Sequence, residues 1–222
     1  MNIKIVDNAK LATGLAVIID VFRAFTVEPY LISNGAQKLI PVADKQIAYD
    51  YKKENINYIL IGERDGIKLP CFDYGNSPSQ IENVDFSGKI VVHTTSCGTQ
   101  GIAGAINAKE IITGSLVNAK AITKYIIKNN IDEISLVTLA KDGYPAFDED
   151  VLCAKYIKNM LENKNDLDMN SEIEKLKTTT GSKFFNIEKQ NDFPEKDFYL
   201  CTELNKFCLL YTSPSPRDPK TS

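Results

Sequence analysis

The chain has 222 residues, 43% of them hydrophobic, a formal net charge of -3 and an isoelectric point near 5.4. This length is enough to bury one substantial core, and the charge pattern is not that of a basic nucleic-acid-binding domain. No apolar run approaches the roughly 20 residues that cross a bilayer, and the N-terminus resembles a first strand rather than a signal peptide. We therefore expect a cytoplasmic protein without a nucleic-acid or membrane partner.

The five cysteines do not predict a metal or disulfide framework. No two of them form a CxxC pair, and only one histidine is present. A thiolate zinc site needs closely spaced ligands, and disulfides do not persist in a reducing compartment. We expect neither.

Short apolar runs alternate with helical segments over the first 160 residues. The apolar runs predict strands at Met1–Val6, Leu15–Ile19, Lys38–Val42, Tyr58–Ile61, Ile90–His93, Glu110–Thr113 and Ile134–Thr138. The intervening patterns predict helices ending near Asn34, and at Asp44–Glu54, Ser77–Asn83, Thr99–Asn107, Asn118–Asn129 and Phe147–Met160. This alternation is typical of βαβ units. We predict a single α/β domain over residues 1–207, with three layers and a mixed, mainly parallel sheet that carries helices on both faces.

The last 60 residues give a weaker signal. Residues 163–168 predict a polar linker, Ser171–Leu176 a short helix, and Phe198–Cys201 a last strand. Residues 208–222 resemble the in-frame translation of a sequencing-library adaptor, and we expect a non-native tail there. A disordered tail, or a terminal strand over Phe207–Tyr211, is the ordinary alternative.

Four polar clusters follow predicted strands, at residues 20–23, 62–77, 94–99 and 142–150. Ligands of open parallel sheets bind at the carboxyl ends of the strands, so we expect these clusters to form one pocket. The alternative is that any loop between a strand and a helix is polar and rich in glycine. The side chains that we expect to converge are Asp20, Arg23, Glu63, Arg64, Asp73, Asn76 and Thr95.

The clusters suit a phosphorylated ligand and a hard metal ion. Threonine and serine hydroxyls beside Gly98, at a predicted helix start, would cradle an anion, and Arg23 and Arg64 could each grip an oxyanion. The carboxylates outnumber these arginines, and such an excess of oxygen ligands suits Mg²⁺. They are Asp20, Glu63, Asp73, Asp148, Glu149 and Asp150. Neither a P-loop nor a dinucleotide-binding fingerprint is present.

Three features have ordinary alternatives that the sequence leaves open. His93 could be a general base, although its place at the end of an apolar strand favours a packing role. Cys97 could be a nucleophile, although no phosphatase-type Cys-x5-Arg loop follows it. The acids at 148–150 could bind a metal or favour the N-terminus of their helix through its dipole.

Five motifs in this order and spacing resemble the 2-phosphosulfolactate phosphatase family. They are Asp20-Val21-Phe22-Arg23-Ala24, Gly62-Glu63-Arg64-Asp65-Gly66, Phe72-Asp73-Tyr74-Gly75-Asn76-Ser77-Pro78, Thr94-Thr95-Ser96-Cys97-Gly98-Thr99 and Glu149-Asp150. The resemblance covers roughly residues 1–205. Many members have a shorter Thr-Thr-Asn-Gly-Thr loop where this chain has residues 94–99. That loop is expected to face the substrate.

The resemblance implies an α/β phosphatase that uses Mg²⁺ and releases phosphate from a small phosphorylated hydroxy acid. The family's substrate is 2-phospho-3-sulfolactate, on the way to coenzyme M. The expected catalytic residues are Asp20, Arg23, Glu63, Arg64 and Asp73. The expected substrate-binding residues are Asn76, Ser77, Thr94, Thr95, Ser96, Gly98 and Thr99, and the expected metal ligands are Asp20, Glu63 and Asp150.

Other functions stay open on the sequence. The same residues could form a phosphate- or sulfonate-binding module or a phosphatase-like regulator without turnover. A lyase acting on a phosphorylated hydroxy acid is a third class. The sequence also leaves a homodimer open.

Overall fold

The computed structural model of the chain describes residues 1–140 and 145–208. Strands and helices alternate there, as the apolar pattern predicts. The strands are β1 (Asn2–Val6), β2 (Leu15–Ile19), β3 (Lys38–Pro41), β4 (Ile59–Arg64), β5 (Ile67–Lys68), β6 (Ile90–Thr94), β7 (Glu110–Gly114) and β8 (Glu133–Thr138). The helices are α1 (Ala24–Ser33), α2 (Lys45–Glu54), α3 (Pro78–Ile81), α4 (Gly98–Gly104), α5 (Ala119–Lys128), α6 (Asp148–Leu161), α7 (Met169–Leu176) and α8 (Glu195–Thr202).

The strands of the described residues form two four-stranded sheets. The first has the order β1-β8-β2-β7 and is parallel throughout. The second has the order β3-β6-β4-β5, in which only the short β5 runs antiparallel to its neighbour. The mainly parallel α/β class is therefore confirmed. The division of the strands into two sheets goes beyond the prediction, because an apolar run shows where a strand lies but not which strand pairs with it.

The first sheet is covered on both faces, which explains why β2 is a continuous apolar run. Leu15, Val17 and Ile19 belong to a core cluster with residues of α5 and α6. Ala16 and Ile18 point the other way, into a cluster with residues of α1 and α4. Because successive residues of a strand point to opposite faces, a strand buried on both sides needs apolar residues at every position.

Helix α1 links the two sheets. Its first turn, with Phe25, packs in the cluster of the first sheet, and Val27 and Leu31 pack against the second sheet. Every residue of α1 from Ala24 to Leu31 is buried. A buried helix cannot leave polar groups unpaired, so its Glu28 must find partners inside the protein.

The predicted strand at Phe198–Cys201 is wrong, because these residues lie in α8. Phe198, Cys201 and Thr202 are buried at the i, i+3 and i+4 spacing of a helix face. Acidic residues in the first turn also favour the helix N-terminus. The predicted short helix after the linker is confirmed as α7.

Two predictions fall wholly or partly outside the described residues. Residues 142–144 of the fourth polar cluster lie outside them, as do residues 209–222 of the expected non-native tail. Phe207 and Cys208 are described and lie in no strand, whereas the rest of the alternative terminal strand is not described. None of the helices in residues 1–140 and 145–208 is both long and apolar enough to cross a membrane.

Candidate active site

A pocket of about 280 Å³ lies where the loops after β2, β4 and β6 meet the first turn of α6. This volume is just below the usual ~300–1,000 Å³ of ligand pockets. Six of the predicted site residues line it, namely Asp20, Arg23, Glu63, Asn76, Ser96 and Asp150. The other predicted site residues do not, namely Arg64, Asp73, Ser77, Thr94, Thr95, Gly98 and Thr99.

Asp20 follows β2 and is held rigidly at the pocket. One carboxylate oxygen, Oδ1, accepts a hydrogen bond of 3.1 Å from the backbone N–H of Ala24, at the start of α1. No described residue donates to the other oxygen, Oδ2. A Cβ added to Gly98 would lie 2.9 Å from Oδ2, so the loop after β6 can approach Asp20 this closely only with a glycine. Asp20 therefore presents to the pocket one fixed oxygen to which no described residue donates.

Burial raises the pKa of Asp20 to about 6, and the negative charges of Glu63 and Glu149 add to this effect against the opposing backbone hydrogen bond. Burial also raises the pKa of Glu149 and Asp150, in the first turn of α6. Asp20 and Glu149 further raise the pKa of Asp150. Buried carboxylates that repel one another in this way favour a nearby positive charge.

The two α6 acids also fasten the helix to its neighbours. Asp150 Oδ1 accepts a hydrogen bond of 2.8 Å from the backbone of Val21, next to Asp20. Glu149 accepts a hydrogen bond from the hydroxyl of Thr180. Both side chains are nearly fully buried. These hydrogen bonds fix the positions of both side chains, in addition to any attraction to the helix N-terminus.

Glu63 joins the β4–β5 hairpin to the loop after β6. Its carboxylate accepts hydrogen bonds from the backbone of Ser96 at 2.7 Å, from the Ser96 hydroxyl at 3.0 Å and from the backbone of Gly66 at 2.6 Å. Gly66 has a φ of 85°, and an added Cβ would lie 2.1 Å from the Phe193 ring. The hairpin can therefore close against Phe193 only with glycine at this position.

The Arg23 guanidinium donates its hydrogen bonds to acceptors within the protein. It donates to Asp197 at 2.7 Å, to the backbone oxygen of Asp192 at 2.7 Å and to that of Gly66 at 3.3 Å. The carboxylate of Asp197 also accepts from the Ser77 hydroxyl and from a backbone N–H of α3. Ser77 thus supports the site from behind the pocket.

Arg64 and Asp73 lie outside the pocket lining and bond to strands of the second sheet and to segments beside it. Arg64 donates to the backbone oxygen of Ala43 at 3.0 Å and to Thr94 Oγ1 at 2.9 Å. Asp73 accepts from the backbone of Leu60 at 2.8 Å and pairs with Lys52 at 3.1 Å. Thr94 is occupied by its contact with Arg64.

Thr95 and Thr99 bond to each other at the start of α4. The Thr95 backbone donates to Thr99 Oγ1 at 3.0 Å, and the Thr99 backbone donates to Thr95 Oγ1 at 3.2 Å. Both residues are buried. In this arrangement their hydroxyls satisfy the helix start, and Ser96 is the hydroxyl of the loop that lines the pocket.

Asn76 connects the pocket to a buried polar network. His93 Nε2 lies 3.3 Å from Asn76 Oδ1, and His93 Nδ1 lies 3.4 Å from a carboxylate oxygen of Glu28. The other Glu28 oxygen accepts a bond of 2.8 Å from Thr113. His93 is fully buried and does not line the pocket, so it reaches a ligand only through Asn76.

The pocket also contains residues that sequence reasoning missed. Lys183 and Phe193 line it from the segment between α7 and α8, where the sequence signal is weak. Asp197, which holds Arg23, lies in the helix that the sequence pattern mistook for a strand. The helical spacing of the buried residues in α8 was the available signal for that helix.

The donor set fits Mg²⁺, although the protein alone does not complete a metal site. Among the described residues, no three histidine, cysteine, aspartate or glutamate side chains are grouped closely enough to hold a metal. Mg²⁺ commonly takes only one or two carboxylates and completes its shell with water and phosphate oxygens. Asp20 and Asp150 each have one oxygen to which no described residue donates, and both line the pocket.

Comparison with known proteins gives a consistent result. A family model described as 2-phosphosulpholactate phosphatase matches residues 3–212. A probable 2-phosphosulfolactate phosphatase of Thermoplasma volcanium is 34% identical over 205 residues, which cover 91% of this chain and 92% of that protein. One of Bacillus subtilis is 31% identical over 188 residues, covering 84% and 81%, and one of Caldicellulosiruptor saccharolyticus is 39% identical over 169 residues, covering 74% and 69%.

Proposed function

Since the chain belongs to the 2-phosphosulfolactate phosphatase family, whose members are phosphoric monoester hydrolases, we propose that it hydrolyses 2-phospho-3-sulfolactate to 3-sulfolactate and phosphate. The observation that supports this most directly is the pocket at the strand ends. Three buried carboxylates with raised pKa values lie there beside Lys183 and the amide of Asn76. Such a site combines oxygen ligands for a cation with donors for an anion.

We propose Mg²⁺ as the cofactor, held by Asp20 and Asp150. When bound, Mg²⁺ would offset the negative charge of the phosphoryl oxygens, which otherwise repel an attacking nucleophile. Glu63 was the third expected ligand, but its carboxylate already accepts three hydrogen bonds that fix the loop carrying Ser96. We therefore assign Glu63 a positioning role.

The residues around the acids bind and orient the substrate. The amide of Asn76 can donate hydrogen bonds to phosphoryl oxygens because it lines the pocket, whereas both donors of Ser96 already bond to Glu63. Phe22, Phe147 and Phe193 form apolar parts of the lining and limit the access of water to the reacting group. Asp20 keeps its orientation because α1 holds its other oxygen.

Release of inorganic phosphate tests this proposal. The purified chain with Mg²⁺ should release phosphate steadily from 2-phosphosulfolactate and leave 3-sulfolactate intact, and a chelator should stop the reaction. 2-Phospholactate, which lacks the sulfonate, is the matched comparison substrate. Tight binding without turnover would indicate a binding module, and products of carbon–oxygen or carbon–carbon cleavage other than the intact alcohol would indicate a lyase.

The cellular role is part of the proposal. We propose that the 3-sulfolactate formed here is used in coenzyme M synthesis, and that the reaction takes place in the cytoplasm. This role follows the resemblance of the five motifs to the family.

A further inference from the structure

Lys183 lines the pocket, and its ammonium group lies among three aromatic rings. It lies in the 3₁₀ helix Thr180–Phe185, and its Nζ lies 5.5–5.7 Å from the ring centres of Phe22, Phe184 and Phe193. No described residue forms a hydrogen bond or a close ion pair with it. Aromatic faces attract a cation without using its N–H donors. The three donors of Lys183 therefore remain for a ligand.

Arg23 is not available to bind a ligand anion in the way that Lys183 is. Its charge is paired with buried Asp197 at 2.7 Å, and its remaining bonds go to backbone oxygens. Of the cationic side chains that line the pocket in the described residues, Lys183 is thus the one without a paired carboxylate. A substrate anion that needs a positive side chain has Lys183 available to it.

The acids that line the pocket in the described residues do not neutralise Lys183 through a direct ion pair. Burial raises the pKa of Asp20 and Glu149, and the positive charge of Lys183 opposes this rise without reversing it. No carboxylate of the described residues forms an ion pair with Lys183. The pocket therefore holds these carboxylates and Lys183 within electrostatic range of one another but without a direct ion pair in the described residues.

We propose that Lys183 determines specificity by binding the acidic group of the substrate that is not transferred, its sulfonate or its carboxylate. This inference rests on the proposed function, in which the phosphoryl group lies beside Asp20 and Asp150. The substrate then places its remaining anionic groups a few bonds away. An ammonium in a partly apolar setting binds such a group strongly because little water competes for it.

Lys183→Met tests the inference, because methionine keeps contact with the rings and removes the charge. The variant should raise KM for 2-phosphosulfolactate about 30-fold, as expected for one lost charge-assisted hydrogen bond. It should raise KM for isopropyl phosphate, which has no second acid, less than about 3-fold. Lys183→Arg should recover most of the affinity. 2-Phospholactate separates the two acids, since a large effect on it identifies the carboxylate and a small one the sulfonate.

Lys177→Met is the matched control. Lys177 also lies near three aromatic rings, at 5.4–6.0 Å, but it pairs with Glu174 and lies outside the pocket lining. The Lys177→Met variant should leave the KM values for 2-phosphosulfolactate and isopropyl phosphate unchanged. An equal loss on isopropyl phosphate in Lys183→Met would overturn the inference, because Lys183 would then act on the phosphoryl group or on the fold.

Binding of 3-sulfolactate separates this inference from the proposed function. Calorimetry with wild-type chain and Lys183→Met needs no turnover. Weaker binding in the variant, together with a normal thermal unfolding curve, supports the inference even if no phosphoester is hydrolysed. Equal binding in both proteins contradicts it, whether or not the chain is a phosphatase.

Discussion

Asn76 is the residue through which the buried histidine can influence the pocket. Its Oδ1 lies 3.3 Å from His93 Nε2, and the direction of this hydrogen bond depends on the histidine tautomer. In this arrangement the Nδ2 group of the amide faces away from the histidine. The Asn76 Nδ2 group has no acceptor among the described residues, and Asn76 is only 5% exposed. Its N–H donors are therefore oriented for a ligand by a network that extends to Glu28 and Thr113.

Asn76→Asp should show that this oriented donor matters. The change keeps the size and the oxygen that faces His93, but it replaces the donor with an acceptor and adds negative charge near the phosphoryl group. We expect kcat/KM to fall at least ~30-fold, as for the loss of a charge-assisted hydrogen bond. Steady-state kinetics measure this. Asn83→Asp, on the exposed residue after α3, is the control, and similar kinetics of both variants would remove Asn76 from the site.

Glu63 and Arg64 show why the sequence predicts the position of a site residue along the chain but not the face of the sheet on which it lies. Glu63 and Arg64 are adjacent in β4, and adjacent side chains of a strand point to opposite faces. Only Glu63 lines the pocket, whereas Arg64 bonds across the strand ends to Ala43 and Thr94. The sequence predicts both residues in the loop after a strand that ends at Ile61, whereas the structure includes them at the end of β4. The sequence could not say which face the pocket occupies, since β4 is buried on both sides.

At the scale of elements, helix α8 completes the site through a single buried carboxylate. Asp197 is fully buried and accepts bonds from Arg23 at 2.7 Å, from the Ser77 hydroxyl at 2.9 Å and from the Ser79 backbone at 2.9 Å. It therefore joins the loop after β2, the start of α3 and α8. The sequence could not show this junction, because the three segments are more than 40 residues apart from one another.

Asp197→Asn should destabilise the fold strongly. The substitution leaves the Arg23 guanidinium buried without its counter-charge, and breaking a buried pair in this way costs about 3–5 kcal/mol. Urea unfolding measures the loss. The control is Glu172→Gln, which removes an exposed pair with Lys175 and should cost less than about 1 kcal/mol. Equal unfolding free energies for the two variants would contradict the role of Asp197.

At the scale of the whole molecule, the sequence predicts the alternation of elements far better than their arrangement. Local apolar patterns show where β2 and β4 lie and that loops follow them, because strand and helix periods are local properties. The split into two sheets and the position of α1 between them depend on long-range packing. The same limit applies to Lys183, which reaches the pocket from a segment whose own pattern is weak.

The proposed reaction takes place at the Asp20 side of one pocket, and the kcat/KM values of Asp20→Asn and Cys97→Ala are the sharpest test of this placement. Both residues line the pocket, but only Asp20 is proposed to hold the metal. With 2-phosphosulfolactate and Mg²⁺, we predict that Asp20→Asn lowers kcat/KM at least ~100-fold, about 2.7 kcal/mol, and weakens the dependence on Mg²⁺. Cys97→Ala should cost far less. An inactive Cys97 variant beside an active Asp20 variant, with both proteins folded, would contradict the account and indicate a thiolate mechanism.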